Sequence, residues 1–428
     1  MKIKIEKIVY PGKSLSREKG KIIFADQGLP GEELEVELTK QKKDYSEVNT
    51  IKVLTPSKYR ILPRCKHHHI CAAYQYIEYP QQIIIKQQQL NEIFQRALKE
   101  NAPSSISLKA CSTPWHYRNK IHLHIVRQNN IAYYAYHQNK SHDEFVIIDH
   151  CMLSSENINH LLARILQIIN QNKILHIEEI IVRESRDKDQ LLFCLIGTDY
   201  SKNRFKSLNP ISCLKTEFPI SGITYLNKKT RIEQSISGKN FIKDTIELKK
   251  FSYGANSFFQ INQPMLDLLI LDLKAQIPFD KQKTVVDLYC GVGLFAIILS
   301  GLVKTVFAVD SSVSSSFFLK KNLTDNKISN ISTAQSDCEQ WISNFKRNKP
   351  DILIVDPPRK GLTDIIIEQL IKTPPEFIAY ISCDPVTLAR DLKKLIPNYH
   401  ILHTTAYDFF PQTGHIETLA VLKKSKQA

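Results

Sequence analysis

A chain of 428 residues with 43% apolar content is long enough for about three domains of roughly 150 residues and apolar enough to pack real cores. No run of about 18 apolar residues occurs, and the opening MKIKIEKIVYPG lacks a secretory leader's unbroken apolar stretch and cleavage site, so no membrane partner is expected and the expected compartment is the cytoplasm. The formal charge of +15 points to a polyanion, nucleic acid before membrane, and nine scattered cysteines do not resemble a disulfide framework.

Residues 1–56 carry short alternating stretches, KIKIEKIVY, GKIIFAD, ELEVELTK and SEVNTIKVL, separated by the turns PGK and GLPGEE. This pattern predicts a small antiparallel barrel. The segment CKHHHICAAYQYIEYP follows, and then QQIIIKQQQLNEIFQRALKE, which has the period of an amphipathic helix. Residues 104–245 are mixed, with strands expected at KIHLHIV, EFVIID, IEEIIVRES and QLLFCLIG, and a helix at INHLLARILQIIN. Basic clusters recur at LTKQKKDY, YRNKIHLHIVR, YSKNRFK and LNKKTR, with tyrosines and histidines nearby that can stack on bases.

From about residue 250 the rhythm becomes apolar strand, Gly or Pro turn, then helix. TVVDLYCGVGLFAIILSG predicts a buried strand ending at Asp287, a glycine turn at Gly291 and Gly293, and a helix; VKTVFAVD predicts a second strand ending at Asp310. These are parts of a doubly wound nucleotide-binding sheet, in which a carboxylate about 20 residues beyond the turn accepts ribose hydroxyls. Ala296 stands where a third glycine would serve a dinucleotide. A shorter turn suits a donor without a pyrophosphate, such as S-adenosylmethionine.

Two further strands are expected. DILIVDPPRKGL stops at Asp356, where two prolines hold the next loop extended, and EFIAYISCDPVTLARDLKKL has a strand that ends at Cys383. Ligands of open parallel sheets sit beyond the carboxyl ends of the strands, so Asp287, Asp310, Asp356 and Cys383 are expected to face one crevice. Asp384 is a good N-cap and Pro385 fits the first helical position. The Cys383 thiol therefore lies at a helix N-terminus, where the dipole favours a thiolate nucleophile, while Cys290 is expected to be a core thiol.

A nucleophile beside a methyl donor suggests carbon methylation of a pyrimidine. Carbon 5 of uracil is too weak a nucleophile unaided, but a thiolate adding to carbon 6 activates it, and a base must then remove the carbon 5 proton. YDFFPQTGHIETLAVLKK offers Glu417 for that step, close to His415, with Phe409 and Phe410 able to keep the carboxyl dry.

The motifs FFQIN, DLYCGVG, VDPPRKG, SCDPVTLARD and FPQTGHIE, over about residues 250–428, resemble in kind and order the S-adenosylmethionine-dependent RNA uracil-5-methyltransferases, which form 5-methyluridine. The resemblance implies an α/β fold: a Rossmann-like class I methyltransferase domain with a doubly wound sheet at 249–428, an N-terminal OB-like β-barrel (TRAM) at 1–56, matched by GKIIFADQGLPGEELEVEL, and a central mixed α+β RNA-binding domain at 57–248. It makes Cys383 the nucleophile and Glu417 the proton acceptor. Gln260, Tyr289, Gly291, Asp310 and Asp356 are then expected to contact S-adenosylmethionine, with Asp337 near its adenine. Asp356 is expected to assist the chemistry as well, and Arg390 and Asp391 to tie helix to sheet.

The family's central domain can host a 4Fe-4S cluster on a Cys-x5-Cys-x2-Cys run and a distant fourth cysteine. Cys65, Cys71 and Cys151 match, but Tyr74 occupies the third position. A labile cluster, a zinc site completed by one of His67 to His69, and an empty site all stay open. Milder departures are Asp310 for glutamate, Asp384 for asparagine and Leu294 for a polar residue.

The barrel and the remnant cysteines resemble the bacterial enzymes acting on 23S ribosomal RNA more than those acting on the transfer RNA T-loop, so 23S rRNA is the expected partner, tRNA the second, and the chain is expected to be monomeric. Either RNA must unstack its uridine into the site. Two rival functions are weighed. Methylation of an exocyclic amine is disfavoured because Arg359 replaces the stacking aromatic of an Asp-Pro-Pro-aromatic loop. A non-catalytic RNA-binding or ribosome-assembly role is disfavoured because Cys383, Glu417 and the donor residues are all present.

Overall fold

The protein is described from a computed structural model covering residues 1–138, 144–198, 208–343 and 350–425. The basic stretch YSKNRFK lies outside the described residues. Two compact units form: Met1–Pro114 with Pro357–Leu362 and Tyr380–Ala428, and Trp115–Asp356 with Thr363–Ala379. Among the described residues no helix is long and apolar enough to cross a membrane.

The first unit opens with a six-stranded sheet from Lys2–Lys4 to Tyr45–Thr55. Period-2 alternation puts Ile3, Ile5, Ile23, Leu34, Val36 and Val48 into one buried cluster and turns the interleaved charges outward. One pairing departs from the expected antiparallel pattern: Lys21–Ala25 runs parallel to Tyr45–Thr55. The reason is topological. Glu33–Gln41 takes the far side of Tyr45–Thr55 as its antiparallel hairpin partner, so the returning strand meets Lys21–Ala25 in the same direction.

The helix Tyr79–Leu98 buries Gln82, Ile85, Lys86, Gln89, Leu90, Phe94 and Leu98 on one face, the spacing expected of an amphipathic helix, though three of these residues are polar. The helix Pro385–Leu395 packs against it. The strand Glu417–Lys424 pairs antiparallel with Tyr399–Tyr407, opposing Glu417 to Tyr407, and Ser107–Lys109 adds a parallel edge.

The second unit contains a sheet of seven strands among the described residues, with the hairpin Lys120–Gln128 and Ile131–His137 followed by Phe145–Ile148 on one side. The helix Glu156–Gln171 is capped by the Ser155 hydroxyl, which accepts from the Ile158 N–H. This unit also holds four parallel strands in the order Ile331–Gln335, Thr305–Asp310, Thr284–Leu288, Ile352–Val355. Val285, Val286, Leu353 and Ile354 are fully buried in them, as expected for parallel strands. The chain adds strands on one side of Thr284–Leu288 and then returns to the other, which creates a switch point at the strands' carboxyl ends.

Candidate active site

In the second unit the turn after Thr284–Leu288 is in the left-handed region at Tyr289 (φ 63°), Gly291 (φ 56°) and Gly293 (φ 92°). A tyrosine held there is strained by its surroundings, a feature that concentrates at ligand sites. At Gly293 a Cβ would fall 2.3 Å from Leu319 Cδ1, so glycine lets the helix Val313–Asp325 close in, whereas the open side of Gly291 has nothing within 4 Å. The Gly291 N–H donates to Asp310 Oδ2 (2.9 Å) and the Ser312 N–H to Oδ1 (2.8 Å), which fixes the carboxylate at the strand tip. Phe258, Gln260, Tyr289, Gly291, Val292 and Asp356 line a crevice at this turn.

Burial pushes the Asp356 carboxyl up to about 7 even though its side chain reaches the crevice. Asp310 joins the lining through its bond with Gly291, while Asp337 is not among the lining residues. Burial first, then Cys338 and Asp337, raises the Tyr289 hydroxyl pKa. Asp337 also caps the short helix Cys338–Ile342, accepting from the Glu339 N–H (2.8 Å). Asp287 does not face the crevice as expected. It is fully buried and accepts from the Ala296 N–H (3.0 Å), because the first turn of the helix Leu294–Ser300 has N–H groups without an intrahelical acceptor. Cys290 is a buried thiol, as read.

In the first unit Cys383 is partly exposed between the end of Phe377–Ser382 and the helix Pro385–Leu395. Asp384 Oδ1 accepts from the N–H groups of Val386 (2.9 Å) and Thr387 (3.1 Å), the expected cap. Asp391 is fully buried and accepts from the Tyr380 hydroxyl (2.7 Å), the Leu362 N–H (2.8 Å) and Arg390 Nε (2.8 Å), so it ties this helix to the Pro357–Leu362 loop. Glu417 is 3% exposed. Arg359 Nη2 lies 3.4 Å from His415 Nε2. Cys383, Asp384, Arg359 and Glu417 all belong to the first unit, and each is close enough to the Tyr10 hydroxyl to act on it electrostatically.

The loop carrying His415 is held by the polar side of the helix Tyr79–Leu98, a feature the sequence reading missed. Lys86 Nζ donates to Asp408 Oδ1 (2.5 Å), the Phe410 carbonyl (3.2 Å) and the His415 carbonyl (3.0 Å), with Lys86 and Asp408 side chains both fully buried. Burial lowers the Lys86 pKa, while Asp408 acts to raise it. Tyr79 donates to Asp408 Oδ2 (2.8 Å), and Gln82 exchanges hydrogen bonds with Gln412 through Nε2 (2.8 Å) and Oε1 (3.1 Å). The available signal was a lysine and two glutamines on the helix face that Ile85, Leu90, Phe94 and Leu98 mark as buried.

The residues present do not fit a four-thiolate cluster. Tyr74, at the third position, is fully buried, its hydroxyl accepts from Gln89 Nε2 (2.9 Å), and its ring lies against Gly12. That oxygen is committed to the core. Cys65 and Cys71 flank the turn at His67 in the first unit, and Cys151 is buried in the second. No group of three or more His, Cys, Asp or Glu able to hold a metal occurs among the described residues.

A glycine turn, a strand-tip carboxylate and a lined crevice at the carboxyl ends of parallel strands define a Rossmann-like class I methyltransferase fold. The tRNA (uracil-5-)-methyltransferase family model matches residues 78–425, and the chain belongs to that family. A Synechocystis protein named an uncharacterized RNA methyltransferase is 29% identical, covering 97% of this chain and 93% of that protein. One of the same description from Bacillus anthracis is 26% identical, covering 98% and 96%. In fold the chain is similar to Pyrococcus abyssi tRNA (uracil-54, C5)-methyltransferase, solved with S-adenosyl-L-homocysteine, at a TM-score of 0.77 and 22% identity over 99% of each chain.

Proposed function

We propose that the protein methylates carbon 5 of a uridine in RNA from S-adenosylmethionine, through a covalent Cys383–uracil adduct with Glu417 as proton acceptor. The observation that carries this is a partly exposed Cys383 at the Asp384-capped N-terminus of the helix Pro385–Leu395, in the same unit as the buried carboxyl of Glu417. The donor supplies an electrophilic methyl group, held by Gln260, Tyr289, Gly291, Asp310, Asp337 and Asp356. The Cys383 thiolate adds to carbon 6 with its own electron pair, and the displaced carbon 5–carbon 6 π pair makes carbon 5 nucleophilic. Carbon 5 takes the methyl group as the donor's sulfur–methyl bond breaks and the donor leaves as S-adenosylhomocysteine; Glu417 then takes the proton from carbon 5, and the Cys383–carbon 6 bond breaks to restore the ring and release the thiolate.

Residues 1–56 are an RNA-binding barrel in this reading, 57–248 a second RNA-binding domain and 249–428 the methyltransferase domain of a cytoplasmic monomer. The net charge of +15 supports RNA as substrate. The favoured target is 23S rRNA. A tRNA target stands as a second reading, because a protein named a tRNA methyltransferase shares this fold over 99% of the chain, so the barrel by itself does not separate the two.

Methyl transfer from labelled donor to RNA tests the mechanism. Cys383→Ala is expected to abolish transfer while donor binding survives, and retained transfer overturns the covalent route. Glu417→Gln is expected to accumulate a protein–RNA adduct on a denaturing gel, and its absence removes Glu417 as the base. Mapping 5-methyluridine in 23S rRNA and tRNA from a deletion strain identifies the target.

A further inference from the structure

The turn Tyr10-Pro11-Gly12 leaves the strand Lys7–Val9 of the N-terminal sheet and is closed by the Gly12 N–H donating to the Val9 carbonyl (2.7 Å). It packs directly on the loop that leads to Glu417. A Cβ on Gly414 would fall 1.6 Å from the Pro11 carbonyl oxygen, and one on Gly12 would fall 3.0 Å from the Tyr74 ring. Tyr74 in turn donates its N–H to the Gln412 carbonyl (3.0 Å), and Gln89 Nε2 bonds both the Tyr74 hydroxyl and the Ile8 carbonyl (2.9 Å each). Turn and loop thus share one buried support.

The Tyr10 side chain is half-buried, and its hydroxyl has no hydrogen-bond partner among the described residues. The charged groups acting on it are Asp384, Cys383, Arg359 and Glu417. Water can reach this hydroxyl in the free protein, and a ligand that displaces the water must supply the hydrogen bond in its place. Burial first, then Asp384 and Cys383, raises its pKa, so the phenol stays neutral and able to donate.

We propose that Tyr10 is a substrate-contacting residue: its phenol donates a hydrogen bond to a carbonyl oxygen of the target pyrimidine beside Cys383. The N-terminal sheet then enters the reaction site itself, beyond any part it has in holding RNA. The proposal rests on the covalent reading above. When a thiolate adds to carbon 6, the displaced electron pair is shared between carbon 5 and the oxygen on carbon 4, which becomes enolate-like. A fixed neutral donor at that oxygen is stronger in the adduct than in the free base, the condition for raising kcat rather than only tightening binding. The phenol keeps its proton throughout.

Tyr10→Phe keeps the ring and its packing and removes only the donor. With the full chain, labelled donor and saturating RNA, kcat is expected to fall by roughly tenfold to a hundredfold, with KM for RNA and the melting temperature close to wild type. In a Glu417→Gln background, Tyr10→Phe is expected to slow adduct formation by a similar factor. Wild-type kcat in Tyr10→Phe overturns the proposal, and so does a change confined to KM for RNA. Failure of the covalent reading shows separately, as methyl transfer surviving in Cys383→Ala; the Tyr10 proposal alone fails when Cys383→Ala is inert and Tyr10→Phe is fully active.

Discussion

The glycine-turn crevice of the second unit and the surroundings of Glu417 in the first are built by opposite means. The crevice is a backbone construction. Strand ends supply its position, left-handed residues shape its turn, and N–H groups pin Asp310. Around Glu417 the chain is held by buried side chains: the Lys86–Asp408 ion pair, the Gln82–Gln412 exchange and Tyr74. Backbone sites tolerate substitution of most neighbours but not of their glycines. A side-chain scaffold depends on every partner being present, because each polar group removed strands another in a dry interior.

That contrast can be broken by measurement. The largest expected effect is at Lys86. Lys86→Met leaves Asp408 buried without its cation and should cost about 3–5 kcal/mol, read by denaturant unfolding, with partial recovery in Lys86→Met/Asp408→Asn. A loss under about 1 kcal/mol at this buried pair would mean that the first unit does not depend on it. Next is Gly293→Ala, where a φ of +92° and a 2.3 Å approach to Leu319 Cδ1 predict a loss of about 1–3 kcal/mol together with weaker donor binding by titration calorimetry.

A smaller effect is expected at the cap. Asp384→Ala should destabilise by about 1 kcal/mol in thermal melting, while Asp384→Asn keeps the acceptor and most of the stability. A pH effect is expected at Asp356. Its carboxyl is held up at about 7 from an ordinary 3.8, so the folded state keeps a proton that the unfolded chain releases. The contribution to stability is full below about 4 and is lost as pH rises through about 7. Asp356→Asn cannot titrate, and its melting temperature should change less between pH 5 and 8 than that of the parent. Equal pH slopes would reassign the raised value to another group.

Much of the crevice was legible because its signals are local. An apolar run ends in Asp310 or Asp356, a glycine turn precedes a helix, and a Cys-Asp-Pro sequence announces a capped N-terminus, with partners a few residues apart. Asp287 was misplaced because its acceptor role toward Ala296 depends on which way one carboxylate turns at a strand end. The parallel pairing of Lys21–Ala25 with Tyr45–Thr55 was missed because alternation marks a strand without naming its neighbour.

By itself the sequence determined the element types, the strand-tip positions, the helix cap beside Cys383 and the family to which the chain belongs, since each follows from residues close together along the chain. Only the tertiary structure decided that Lys86 meets Asp408, that Tyr74 serves the core, and that the turn at Tyr10 lies on the loop before Glu417. Those contacts join segments more than 300 residues apart, or commit one polar atom among several equally plausible partners. Packing and the desolvation of buried polar groups select them, and neither leaves a periodic trace in the chain.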